Sequence, residues 1–156
     1  RDVLGSRGLG DVYKRQEGTF YDRQFLFYEE WTEEASELYI RADQELLALC
    51  SRCPGMEIGR DIIPVLNYYE SRNAAELTGK IRSIPAFRGV KAPMVLREQG
   101  WAPDFASRYF TEDVPLGTGP ICRLAEKLGV PSPTLHSFVE WNTSMLDRFS
   151  PLQEKS

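Results

Sequence analysis

The sequence predicts an all-α domain, and three observations carry that expectation. Apolar residues recur at helical spacing in separate segments: Ala35, Leu38, Tyr39, Ala42, Leu46 and Leu49 in one, Ile121, Leu124, Ala125 and Leu128 in another. Start and stop signals frame them, with Gly129 and Pro131 ending one helix and Ser132-Pro133 opening the next. Proline and glycine interruptions gather in one stretch, from about Ser83 to Asp104, which reads as a long connector between helices.

Residues 1–16 stand apart from the rest. The run Ser6 to Gln16 resembles the translation of a transposase-type sequencing-library adapter, and Arg1 to Gly5 fits the bases that precede it in the same oligonucleotide. The segment is therefore set aside, as a fusion scar would be. Its glycines at Gly5, Gly8 and Gly10 match neither a GxGxxG fingerprint nor a Walker loop. The domain then spans 17–149, incomplete at its N-terminus, with a polar tail over 150–156.

In chain order, Phe20-Tyr21 and Phe25-Leu26-Phe27-Tyr28 form an aromatic segment, either a short strand or an extended lead-in. It serves as core packing or as the wall of a substrate pocket. A first helix starts at Thr32, with Glu33 and Glu34 complementing the dipole, and stops at Cys53-Pro54-Gly55. A second runs from Asp61 to about Ser71 with Pro64 in its first turn, and Asn73 caps a third through Leu77 and Ile81. Trp101 and Phe105 anchor the connector. Ser132 then caps a last helix through Leu135, Phe138, Val139, Asn142 and Leu146, with His136 off that stripe on the surface.

Composition narrows the function classes. The chain has 42% hydrophobic residues and a net charge of −4; without residues 1–16 the balance is 15 basic to 21 acidic, net −6. That excludes the broad basic face a nucleic-acid footprint needs. No apolar run reaches the about 18 residues that span a bilayer, so neither nucleic acid nor membrane is expected as a partner, and a cytoplasmic location is. Cys50-Ser51-Arg52-Cys53 has CxxC spacing but no second pair, Cys122 stands alone and His136 is the only histidine. No metal site is expected. Cys50 is read as closing the apolar face of the first helix.

The stretch with chemistry in it is Arg108-Tyr109-Phe110-Thr111-Glu112-Asp113-Val114-Pro115. Asp113, two residues before a proline and ahead of an apolar helix, suits an N-cap, and Glu112 adds charge to the same dipole end. On that reading Arg108 is solvated or locally paired. The alternative is that an anion-binding arginine and a fixed carboxylate face a cleft from one connector.

The motif Arg-Tyr-x-x-Glu-Asp-Val-Pro at 108–115 is followed by a glycine, a proline and the helix Ile121 to Gly129, then Val130-Pro131-Ser132-Pro133-Thr134. With Phe27-Tyr28, Thr32, Asp43, Glu45, Pro85 to Gly89 and Ala92-Pro93, in that order, it resembles the C-terminal helical domain of the octopine/nopaline (opine) dehydrogenase family from Thr19 to about Phe149. The resemblance implies a multi-helix domain of the kind that follows a Rossmann domain in 6-phosphogluconate-dehydrogenase-like two-domain dehydrogenases. It implies NAD or NADP, held mainly by that other domain, and reductive condensation of an amino acid with a 2-oxo acid. By the same likeness Asp113 matches the aspartate that pairs with a catalytic histidine lying just before Glu17, absent here. Arg108 matches the arginine that reaches the cofactor pyrophosphate.

The chain alone is therefore expected to be inactive, and a homodimer is compatible with the family plan. The run Leu116-Gly117-Thr118-Gly119-Pro120 is smaller than the family pattern, and His136 replaces an acidic or polar residue. Two other classes stay open: another two-domain dehydrogenase, ketopantoate-reductase-like or acting on hydroxyacids, and a non-enzymatic helical binding or dimerisation module.

Overall fold

A computed structural model describes residues 20–149; the segment at 1–16 and the tail at 150–156 lie outside the described residues. The described residues divide into two compact units, one comprising 20–41 with Ile63–Pro103, the other Ala42–Ile62 with 104–149. Helix α1, Glu33–Cys50, begins in the first and ends in the second.

In the first unit the aromatic lead-in is pinned by backbone bridges at Tyr21 and Leu26 and turns at Phe27 and Tyr28. Tyr21 pairs antiparallel with Trp101, exchanging N–H···O bonds of 2.8 and 2.9 Å, and Leu26 bridges Lys91. Phe25, Ala92 and Met94 form a buried cluster against Tyr21, Phe27 and Trp101, the core packing that was one of the two sequence readings. The Ser83 to Asp104 stretch, read from sequence as a long connector, has elements of its own. It holds a 3-10 turn, Pro85–Phe87, and an antiparallel hairpin of β1, Met94–Arg97, and β2, Gly100–Pro103, in which Arg97 faces Gly100.

Gly100 explains why periodicity hid the hairpin. Its φ is +129°, and a Cβ there would stand 2.6 Å from the Tyr21 carbonyl oxygen. A residue that reads as an interruption is thus the point where two backbones meet.

Thr32 opens α1 as expected, its Oγ1 accepting the Ala35 N–H at 3.3 Å. The inward face differs from the apolar stripe, since Tyr39 is 40% exposed while Ser36 is fully buried. Ser36 tolerates burial because its hydroxyl shares a 2.7 Å bond with Thr78 Oγ1 and accepts Trp31 Nε1–H at 3.0 Å. Helix α2 is a single turn, Val65–Tyr68, and not the longer helix expected from Asp61. Pro64, at φ −53° and ψ 139°, is extended, and a proline also keeps the residue before it out of the helical region. Helix α3, Ala74–Ser83, is capped by Asn73, whose side chain accepts the Glu76 N–H at 2.9 Å. Leu77 and Ile81 pack with Val65 against Tyr28, Trp31 and Phe87, and Tyr28 stacks on Phe87 with centroids 4.0 Å apart.

In the second unit Asp61 lies in a turn, accepting the Glu57 N–H at 2.9 Å and pairing with Arg60. Helix α4, Gly119–Leu128, ends as predicted at Gly129, φ 66°, where the Gly129 and Val130 N–H groups close on carbonyls of the last turn at 3.1 and 2.9 Å. Ala125 and Val130 pack on Leu49 with Ile121 and Leu128 beside them. Leu124, placed in the stripe by sequence, is 42% exposed; Cys122 is buried instead, so the inward face is turned toward the thiol.

Helix α5, Pro133–Phe149, begins at the expected proline. Its cap is not Ser132, whose hydroxyl lies 2.9 Å from His136 Nδ1. The Glu45 carboxylate does that work, accepting the Thr134 and Leu135 N–H groups at 2.7 and 2.9 Å. At the other end Phe105 stacks on Phe149 at 4.8 Å and meets Phe110 and Trp141, which is how Phe105 anchors its segment.

Candidate functional site

The Arg108 to Pro115 motif does not cap a helix; it forms one. Tyr109–Thr118 is a π-helix, a turn closed between residues five apart: its first N–H groups, of Phe110 and Thr111, still bond the Ser107 carbonyl at 3.0 and 3.1 Å, and at its end Gly119 N–H closes on the Val114 carbonyl five residues back. Asp113 is therefore internal, and the N-cap reading is corrected. The reason is Pro115. In an α-register its ring would collide with the carbonyl four residues back, and the wider turn accommodates it.

The π-register decides which side chains share a face. Residues five apart in an α-helix lie roughly 140° apart around the axis, whereas the wider π-turn narrows that offset to roughly 50°. Asp113 follows Arg108 by five. Both are exposed, as are Tyr109 and Leu116, so the helix presents an arginine, a carboxylate and apolar surface outward.

The electrostatics separate the two acids. Arg108 Nε and Nη2 approach Glu112 Oε2 at 2.9 and 2.8 Å, with 82% of the arginine side chain exposed. Glu112 thus neutralises Arg108 locally, the pairing that one sequence reading allowed. Asp113 makes no hydrogen bond or ion pair among the described residues.

Inward, Phe110 joins the Phe105 and Trp141 cluster, and its carbonyl accepts Asn142 Nδ2–H at 2.8 Å. Asn142 is 2% exposed, and its Oδ1 has no hydrogen-bond partner. Sequence reasoning placed Asn142 on the inner stripe of α5 without giving it a task. The available signal was Pro115 itself, since a proline inside a helix leaves a carbonyl without its donor.

His136 is half-buried and not a free surface residue. Its Nε2 lies 2.9 Å from Glu126 Oε1 and its Nδ1 2.8 Å from the Ser132 carbonyl, and these bonds, the carbonyl foremost, raise its pKa. It is committed to the α4 and α5 termini, away from any pairing with Asp113. Cys50, Cys53 and Cys122 are free thiols; Cys50 does close the inner face of α1, and burial raises the pKa of Cys50 and Cys122. Among the described residues no three His, Cys, Asp or Glu side chains are grouped to hold a metal ion, and no helix is long and apolar enough to cross a membrane.

The described fold has solved counterparts. It is similar to octopine dehydrogenase in its complex with NADH and L-arginine, with a TM-score of 0.71 and 22% identity over 93% of this chain and 37% of that one. The complex with NADH and agmatine gives 0.72 and 23%. Among curated proteins, tauropine dehydrogenase of Arabella iricolor is 25% identical over 142 residues, 85% of this chain and 36% of the relative. Octopine dehydrogenase of Mizuhopecten yessoensis is 31% identical over 99 residues, 60% of this chain and 25% of the relative. The chain thus spans about a third or less of these relatives' length. The family profile of the NAD/NADP octopine/nopaline dehydrogenase α-helical domain matches residues 11–146, reaching back into the segment set aside above. With that match covering most of its length, the chain belongs to the octopine/nopaline dehydrogenase family and carries that family's α-helical domain.

Proposed function

We propose that this domain is the substrate-side half of an opine dehydrogenase, which condenses an amino acid with a 2-oxo acid and reduces the imine with NADH or NADPH. The observation that carries the reading is a pair of exposed charged residues on one segment: Arg108 at the N-cap of the π-helix and Asp113 five residues on within it. Relatives support the chemistry: solved octopine dehydrogenase complexes contain NADH with L-arginine or with pyruvate.

The residues fit a dinucleotide. Arg108 offers a planar, permanently charged fork on an exposed face, and a pyrophosphate would compete with Glu112 for two of its donors. The nicotinamide, when bound by the Rossmann part of the enzyme, supplies the hydride. Asp113, without a partner among the described residues, holds the Nδ1–H of a histidine contributed by the rest of the protein. It thereby fixes the tautomer and stabilises the imidazolium formed as that histidine manages the carbonyl proton. Tyr109 and Leu116, both exposed, supply apolar surface on the same helix. Without the Rossmann part the domain is inactive.

The test is to recover the coding sequence ahead of Glu17, express the whole protein and follow NADH or NADPH oxidation with pyruvate and a panel of amino acids. Oxidation that requires both substrates is expected. Oxidation by an oxo acid alone would move the assignment to a hydroxyacid or ketopantoate-type reductase, and none with any pair would overturn it.

A further inference from the structure

Pro115 has no N–H, so in the π-register the carbonyl deprived of its donor is the one five residues back, Phe110. In an α-register it would have been Thr111. The side chain that reaches into this helix from α5, Asn142 Nδ2, bonds the Phe110 carbonyl at 2.8 Å. Its amide cannot be turned over, because Oδ1 would then face another carbonyl oxygen. Asn142 is 2% exposed, and its Oδ1 is left without a partner, so packing or Oδ1 bonding does not account for a polar side chain here.

We infer that Asn142 is a positioning residue: its amide replaces the donor that Pro115 lacks, holds Tyr109–Thr118 in the π-register and so keeps Arg108 and Asp113 on one face. The role of that face rests on the function proposed above; the hydrogen-bond substitution does not.

A double-mutant cycle on the chain separates the two. Asn142→Leu should lower the folding equilibrium constant roughly tenfold or more, the order of one buried hydrogen bond. In a Pro115→Ala background the same substitution should cost under about threefold, since a backbone N–H then serves the Phe110 carbonyl in either register. The register is read by NMR scalar coupling across the Gly119 N–H to Val114 carbonyl bond, which Asn142→Leu should weaken or shift to the carbonyl of residue 115. Equal costs in both backgrounds, or an unchanged coupling, overturn the inference. Where Asn142→Leu alone does not fold, folding of the double variant supports it and failure of the double variant overturns it. In the whole enzyme, Asn142→Leu should lower kcat and weaken NADH binding together. A wild-type enzyme without opine activity would remove the proposed function and leave the coupling between Asn142 and Pro115 standing.

Discussion

Glu45 and Thr134 are 89 positions apart, yet the Glu45 carboxylate accepts the Thr134 N–H at 2.7 Å and the neighbouring Leu135 N–H at 2.9 Å. A helix N-terminus leaves donors unsatisfied, and here a side chain from α1 meets two of them while its charge faces the positive dipole end of α5. Glu45→Ala should therefore destabilise the domain by about 1–2 kcal/mol, as for loss of a good cap. Ser132→Ala should cost less, because its hydroxyl does not cap. Urea denaturation of the two variants checks the order; a larger loss for Ser132→Ala would contradict it.

His136 makes stability depend on pH. The Ser132 carbonyl and then Glu126 hold its pKa above the ordinary 6.5, against a smaller opposing effect of burial, with Glu140 adding attraction. A raised folded pKa means that the folded state binds the proton more tightly. The stabilisation is then complete below about pH 6.5 and lost as pH rises through the folded value. Wild type should lose stability over that window, while His136→Gln should show a flatter profile. Glu126→Gln should reduce the slope without abolishing it, because the Ser132 carbonyl remains. Thermal melts between pH 5 and pH 9 would show this, and a profile unchanged in His136→Gln would refute it.

Gly100→Ala tests the hairpin. The added methyl would meet the Tyr21 carbonyl oxygen at 2.6 Å on a backbone already at φ +129°, so strain and clash act together. The expected cost is more than ~1 kcal/mol. Gly79→Ala is the control: it lies in α3 with nothing within 4 Å of the new Cβ, and should be neutral or stabilising. Equal melting temperatures for the two variants would rule out the close approach.

What the sequence made legible was whatever is encoded locally. Asn73 at its cap, Thr32 before α1 and Gly129 after α4 are each recognisable from neighbours a few residues away, and each stands where expected. What escaped was non-local or depended on register. Glu45 caps a helix 89 positions away, Tyr21 and Trp101 pair 80 residues apart, and Asn142 serves a carbonyl 32 positions back. The candidate site shows the same division. Arg108 and Asp113 were visible as a motif, but the helix type that holds Asp113 is one that an internal proline favours and no periodicity of 3.6 could reveal.

Arg108 and Asp113 should fail in different ways in the whole enzyme. Arg108→Ala removes the fork proposed to meet the pyrophosphate and should chiefly raise the NADH dissociation constant. Glu112→Gln releases Arg108 from its 2.8 Å partner and should tighten NADH binding or leave it unchanged. Asp113→Asn keeps shape and exposure but cannot stabilise an imidazolium, so kcat should fall by about 100-fold or more with little change in folding or NADH affinity. The contrast is the informative part, because a general disturbance of the π-helix would weaken binding and turnover alike in all three variants. Stopped-flow NADH titration beside steady-state kinetics reads both quantities. Near-normal kcat in Asp113→Asn would remove it from the proton path, and an unchanged NADH affinity in Arg108→Ala would remove the arginine from the cofactor site.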